Sequence, residues 1–274
     1  MSNRNAMQVP ADRVAGTTDL GIRAMDIQKI FKAALDSIND AFEPELKTEH
    51  IILYPYVSED AKMQYWDFTK KNGFEYESGY DPCSAYGSAY LHGNNDIDGI
   101  MIRVDDWIPE DKIYHTLLHE LAHIYITRNE IDGGHFQSKY CEKTGNTMRE
   151  NTVYCGYSIW REIAAETVAM SLDPAPSYSI HKYLTELKAY SSQIKPNDQK
   201  GKIIIEDVIL TILFSDEARL SDESLIRLLR EEGFKFIETA LLCIDKVKEP
   251  EFWIIDEEFA YILGFTFLKE SALQ

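Results

Sequence analysis

Apolar side chains recur early in the chain with the rhythm of a helix. Ile27, Ile30, Phe31, Ala34, Leu35, Ile38 and Phe42 predict an amphipathic helix over residues 22–42, closed by Pro44. The β-rich run 48–57 predicts a strand. Ser58-Glu59-Asp60 then offers caps for a second helix that runs to Lys71 and stops at Asn72-Gly73. Two short apolar runs, 89–92 and 97–104, flank Gly93-Asn94-Asn95-Asp96 and predict a hairpin. Next comes a stretch that is apolar around most of its circumference, through Leu117, Leu118, Leu121, Ala122, Ile124 and Tyr125. It predicts a buried helix that starts at Pro109-Glu110-Asp111 and ends near Thr127-Arg128-Asn129.

The rest of the chain is read the same way. Residues 130–135 read as a loop, about 136–143 as a short helix and 145–154 as a loop. Residues 156–170 are helical, with small side chains along one side that permit close helix packing. Asp173-Pro174-Ala175-Pro176 stops that helix and is the best domain boundary. Beyond Ser177 the pattern is helical throughout, in segments 177–194, 202–215, 221–232, 234–247 and 251–269, and Glu257-Glu258 reads as a solvated helix face. The expected architecture is α+β: an N-terminal helix, a small sheet, a buried helix, then an all-helical C-terminal domain.

The buried helix carries the candidate chemistry, His119-Glu120-x-x-His123. Residues four apart share one helix face, so both imidazoles can reach one zinc ion at about 2.0–2.1 Å. Glu120 lies beside that ion as the natural general base for a water. The plainer reading is a core helix with two satisfied histidines. Two histidines on so apolar a helix then need polar partners of their own.

A catalytic zinc usually has three protein ligands and an open position. Glu162, 39 residues past His123, is the first candidate for the third, and Glu166 projects one turn later from the same face. One of these carboxylates could bind the ion while the other accepts a hydrogen bond from a liganding imidazole, which fixes the ring's tautomer. His135, after Gly133-Gly134, is the competing ligand. Tyr154, Tyr157 and His135 are candidates by position for the second donor to an oxyanion.

The set His119-Glu120-x-x-His123 plus Glu162 resembles the gluzincin group of zinc metallopeptidases. Glu162-x-x-x-Glu166 is similar to the thermolysin-like arrangement, in which an acid four residues after the ligand supports a histidine. That acid is Asp there, so Glu166 is a departure. The run Glu162-x-x-Ala165-x-x-x-Ala169-x-x-Leu172-x-Pro174 also resembles the ImmA/IrrE family of intracellular metallopeptidases. That family has Asn at the position of Glu166, an aromatic residue at that of Val168 and a shorter His-to-Glu spacing. Gly134-His135 loosely resembles the third-ligand context of SprT-like proteases.

These resemblances cover roughly residues 85–175. They imply a zincin-like metallopeptidase domain over 22–174 that holds one Zn2+ on His119, His123 and Glu162. Glu120 is then the general base, Glu166 supports a histidine, and the substrate is a peptide or protein. A tail over 1–21 and a helical domain over 175–274, which could cover the cleft or bind a protein partner, complete the expected organisation.

Composition narrows the partners. The formal net charge is −18, and so acidic a surface disfavours nucleic acid and anionic membranes. That argues against the DNA-associated role of the SprT-like proteases. The first twenty residues lack the apolar core of a signal peptide, and no apolar run reaches the length of a membrane span. Cys83, Cys141, Cys155 and Cys243 form no C-x-x-C pair and read as reduced thiols, small buried apolar side chains in a cytoplasmic protein. The alternative from another class is an interaction or sensor protein with a structural metal or none. Such a protein has no need of Glu120.

A strand edge beside the motif matters to the peptidase reading, because an exposed edge can take a peptide as an added strand. Ser84 to Tyr90 is the candidate edge, with small residues that let a substrate backbone approach.

Overall fold

The sheet is built from two segments that pair non-locally and one hairpin. The computed structural model describes residues 18–131, 136, 139–140, 147–174, 227 and 255–272. Strand β1 (Ile51–Tyr56) pairs in parallel with β3 (Asp98–Arg103), which pairs antiparallel with β2 (Gly87–Tyr90), giving the order β1-β3-β2. The β2–β3 hairpin turns through Asn94–Asp96, where Asn95 and Asp96 adopt positive φ. The parallel pairing of β1 with β3 needs a crossover. Helix α2 (Ala61–Asn72) supplies it and ends on Gly73 at φ 75. Its start differs from expectation: no side chain caps it, and the Ser58 hydroxyl and N–H are engaged with Asp105 instead.

Helix α1 spans Thr18–Ala41. It begins four residues before the start that its apolar periodicity implies, so residues 18–21 belong to it and not to a tail. Residues 1–17 lie outside the described residues. Helix α3 (Glu110–Arg128) carries the motif, with Pro109 at its N-cap and Glu110 and Asp111 in its first turn. These are the start signals that the sequence offers.

Central β3 is buried along its whole length, so each of its faces carries a core. Ile100 and Ile102 join Phe31, Leu35, Ile38, Leu117, Leu121 and Ala165 on the face covered by α1 and α3. Met101 joins Tyr56, Tyr65, Phe68 and Phe74 on the face covered by α2. At about 25 cal/mol per Å2 of apolar surface, side chains buried this fully are the main term that holds the layers together. A side clamp fixes the C-terminal end of α3 to the hairpin. Arg128 donates from Nε and Nη2 to buried Asp98 at 2.6 and 2.8 Å, and from Nη1 to Asp96 at 2.8 Å.

Helix α4 (Met148–Leu172) is two turns longer than the sequence reading, which gives residues 145–154 to a loop. The physical reason is a capping box. The Thr147 hydroxyl accepts from Glu150 N–H, and the Glu150 carboxylate accepts from Thr147 N–H. Such a pair nucleates a helix at that point. Gly156, which reads as the start of this helix, lies inside it. Helix α5 (Glu257–Ala272) packs on α4. The crossing is tight, since a Cβ on Gly156 would lie 1.7 Å from Ala260 O and one on Gly264 1.8 Å from Thr152 O.

The loop expected at 130–135 and the helices expected between 177 and 247 fall almost entirely outside the described residues. Among the described residues, no helix is long and apolar enough to cross a membrane.

Candidate metal centre

Three histidines line up on one face of α3, because His115, His119 and His123 are each four residues apart. Helix α4 packs across that face. The small side chains of Ala165 and Ala169, both fully buried, let its backbone come close enough for the two acids to reach the imidazoles.

His119 Nε2 and His123 Nε2 are 3.1 Å apart. Glu162 Oε2 lies 3.4 Å from the first and 3.5 Å from the second. A zinc ion bound tetrahedrally at 2.0–2.1 Å requires ligand atoms about 3.3–3.4 Å from one another. The three separations match that requirement, and the donor set of two neutral-capable imidazoles and a carboxylate suits zinc and similar divalent ions. The donors present therefore fit such an ion, with Glu162 partly open to solvent and the two histidines beneath it.

Glu166 takes the supporting place. It is buried, its Oε2 accepts from His119 Nδ1 at 2.7 Å, and its Oε1 meets His115 Nε2 at 3.0 Å. Burial would raise this carboxyl, but the hydrogen bonds from His115 and His119 outweigh it and hold it well below the usual carboxylate range. A carboxylate only accepts, so His119 Nδ1 carries a proton, and its Nε2 faces the centre.

The charges around the centre are set by the same contacts. Burial pulls His119 down, but its bonds to Glu162 and Glu166 hold it well above an ordinary histidine. Burial drives His123 down to about 4 against the pull of Glu162. Glu162 is driven up by burial and, more strongly, down by the two histidines, and ends well below the usual range. Glu120 is pushed up to about 7 by burial, against the charge of His119.

Glu120 lies under the edge of the sheet. Tyr86 pairs with Arg103, whose N–H donates to the Tyr86 carbonyl at 2.8 Å. Hydrogen-bonded pairs alternate along an antiparallel ladder, so the backbone groups of Gly87 and Ala89 face away from β3. The Ala89 N–H is one of these outward groups, and it donates to the Glu120 carboxylate. Gly87 makes the approach possible: a Cβ there would lie 2.7 Å from Thr116 Cγ2 and 3.0 Å from Glu120 Cγ. The smallness of the edge thus serves the close approach of α3.

The sequence candidates separate accordingly. His119, Glu120, His123, Glu162 and Glu166 come together. His135 lies outside the described residues. Tyr157 is buried in an aromatic stack with Phe136 and Trp160, and Tyr154 is exposed. Cys83 and Cys155 form no disulfide among the described residues and are half-buried, whereas full burial was the expectation. Cys141 and Cys243 lie outside the described residues.

Two residues were missed. His115 carried a readable signal, since it stands four residues before His119 on the same face. Arg161 carried none beyond its place next to Glu162; its positive charge lowers both Glu120 and His123. No protein-family model, curated protein or solved structure matches the chain, so the reading of this centre rests on its own donors and distances.

Proposed function

We propose that the chain is a zinc-dependent peptidase of the gluzincin type, within a zincin-like α+β domain. The observation that carries this reading is the mutual spacing of His119 Nε2, His123 Nε2 and Glu162 Oε2, 3.1 to 3.5 Å, beside the buried carboxyl of Glu120. His119, His123 and Glu162 would hold the ion. When bound, zinc supplies Lewis acidity toward a carbonyl oxygen and makes a nucleophile of water near neutral pH.

The chain's own groups do the rest. Glu120, with a pKa near 7, accepts a proton from the attacking water and passes it to the leaving nitrogen. Glu166 holds the His119 ring in the tautomer that leaves Nε2 free. The outward N–H of Gly87 and the outward carbonyls of Gly87 and Ala89 offer an edge that an extended peptide can join as an added strand. Against a purely structural metal site stands Glu120, a buried acid that holds no place in the donor triangle.

The test is metal content together with Glu120→Gln. The wild-type chain should bind one Zn2+ and cleave members of a peptide library. The variant should keep its zinc and lose about 10^2–10^4-fold in kcat/KM. Zinc-loaded wild type that cleaves no peptide, or a Gln variant that cleaves as well as wild type, would sink the proposal.

A further inference from the structure

His115 is spent on nothing in the reaction just described, yet among the described residues it is one of the most buried polar groups, 4 % exposed. Its Nε2 lies 3.0 Å from Glu166 Oε1. On the other side of the ring, Asp173 Oδ2 is 3.3 Å from Nδ1, close enough for charge although off the hydrogen-bond direction. Asp173 is the C-cap of α4, the residue at which the chain leaves the helix that carries both acids. The side chains therefore form a continuous file, Asp173, His115, Glu166, His119, that ends at His119 Nε2 in the donor triangle.

The geometry of Glu166 explains why such a file matters. A Glu side chain reaches across the helix interface on three rotatable bonds, and its terminal torsion is broad, with no strong intrinsic preference. Only one rotation of the carboxylate points Oε2 at His119 Nδ1. Because a carboxylate has no proton to give, the His115 nitrogen that faces Oε1 must be the donor. With Oε1 held from one side by a ring locked in the core, Oε2 has a single place to go. His115 comes from α3, as does His119, so α4's acid is gripped at two points one helical turn apart.

We propose that His115 is a positioning residue for the metal centre. Its Nε2–H fixes the rotation of the Glu166 carboxylate, and Glu166 in turn fixes the ring and tautomer of His119. This inference rests on the metal reading above. Partners one shell outside metal ligands typically change affinity by about 10–100-fold when removed. His115 acts one bond further out, so the expected effect is at the lower end, about tenfold.

Two variants that both fill the space of the ring separate the hydrogen bond from packing. His115→Gln keeps an N–H donor, and His115→Met removes it. The affinity of the full chain for Zn2+ is measured by competition with a chromophoric chelator, and the His119 Nδ1–H of the zinc-loaded chain is followed by NMR. The expected result is a Met variant that binds Zn2+ about tenfold more weakly, with a His119 Nδ1–H that exchanges faster, and a Gln variant within about twofold of wild type. A Met variant that binds as wild type does, or Met and Gln variants that weaken alike, overturns the inference while the metal reading stands. A wild-type chain that takes up no Zn2+ overturns the metal reading and this inference with it. If the Met variant does not fold, the wild-type zinc-loaded spectrum decides. A proton on His115 Nε2, protected from exchange, supports the assignment, and a bare Nε2 overturns it.

Discussion

Zinc uptake should release protons in a number that the centre's own contacts determine. In the ion-free chain near neutral pH, His119 lies between Glu166 and Glu162 and, held well above an ordinary histidine, carries a proton on each nitrogen. His123, at about 4, carries no extra proton, and Glu162 is ionised. Binding an ion through His119 Nε2 therefore expels one proton, while Nδ1–H stays with Glu166. Glu120 adds a second contribution. At pH 6.5 an acid with a pKa of about 7 is roughly three-quarters protonated. A cation within a few Å lowers such a group by about 1–3 units, enough to ionise most of it.

The total is then about 1.7 protons per ion at pH 6.5 for wild type and about one for Glu120→Gln. The sign follows from the raised pKa values. The proton is bound when the site is ion-free and absent when it is loaded, so affinity rises with pH. Each released proton makes the rise about tenfold per pH unit, or about 1.36 kcal/mol. Calorimetric titration in two buffers of different ionisation enthalpy counts the protons directly. A wild-type chain that binds Zn2+ while it releases fewer than about half a proton would refute the assignment of the His119 proton. A Gln variant that releases as many protons as wild type would refute that of Glu120.

Three other perturbations test the frame around the centre. Gly87→Ala puts a methyl group 2.7 Å from Thr116 Cγ2 and against Glu120, so it should cost about 1–3 kcal/mol and lower kcat/KM by at least about tenfold with zinc retained. Adding Thr116→Ala should recover much of both, and a double variant no better than the single one in denaturation and kinetic assays would count against the clash. Arg128→Ala leaves the carboxylate of Asp98, 1 % exposed, without its cation and should cost about 3–5 kcal/mol in urea unfolding, whereas a loss under about 1 kcal/mol would show that the clamp is idle. Gly156→Ala must part α4 from α5 by roughly 1.5 Å to restore an ordinary contact with Ala260 O. It should lower the thermal midpoint and weaken zinc binding together, and an unchanged midpoint would contradict the close crossing.

What could be read in the sequence follows from how far apart the cooperating residues lie. The motif helix was legible to its ends because everything that makes it is local: Pro109 at the N-cap, acids in the first turn, an apolar body and two histidines one turn apart. The β2–β3 hairpin was legible for the same reason, through its Asn-rich turn. The parallel pairing of β1 with β3 was not, since register between segments some forty residues apart leaves no mark in either one. Glu162 and Glu166 stood out only because acids on so apolar a helix need a reason. Which of them faces the donors and which supports a ring depends on the rotation of α4 against α3. The start of α4 was misplaced although Thr147-x-x-Glu150 announces it, because Gly156 drew the boundary toward itself.

That misplacement shows what Gly156 is for. Glycine inside a helix costs about 0.5–1 kcal/mol relative to alanine. Here it removes the side chain at the point where α5 crosses, as Gly264 does from the other side, so the two backbones pack in direct contact. The same helix, nine and thirteen residues further on, presents Ala165 and Ala169 to the core shared with α3. Helix α4 is thus thinned on both flanks, by glycine toward α5 and by alanine toward α3. A helix pressed from two sides at backbone distance has little freedom to shift or roll. The two acids it carries need that constraint. Glu162 has to stay within about 3.5 Å of His119 and His123, and Glu166 between His115 and His119, and an error of 1 Å would break either set. The close crossing with α5, remote from the donors, therefore belongs to the construction of the centre.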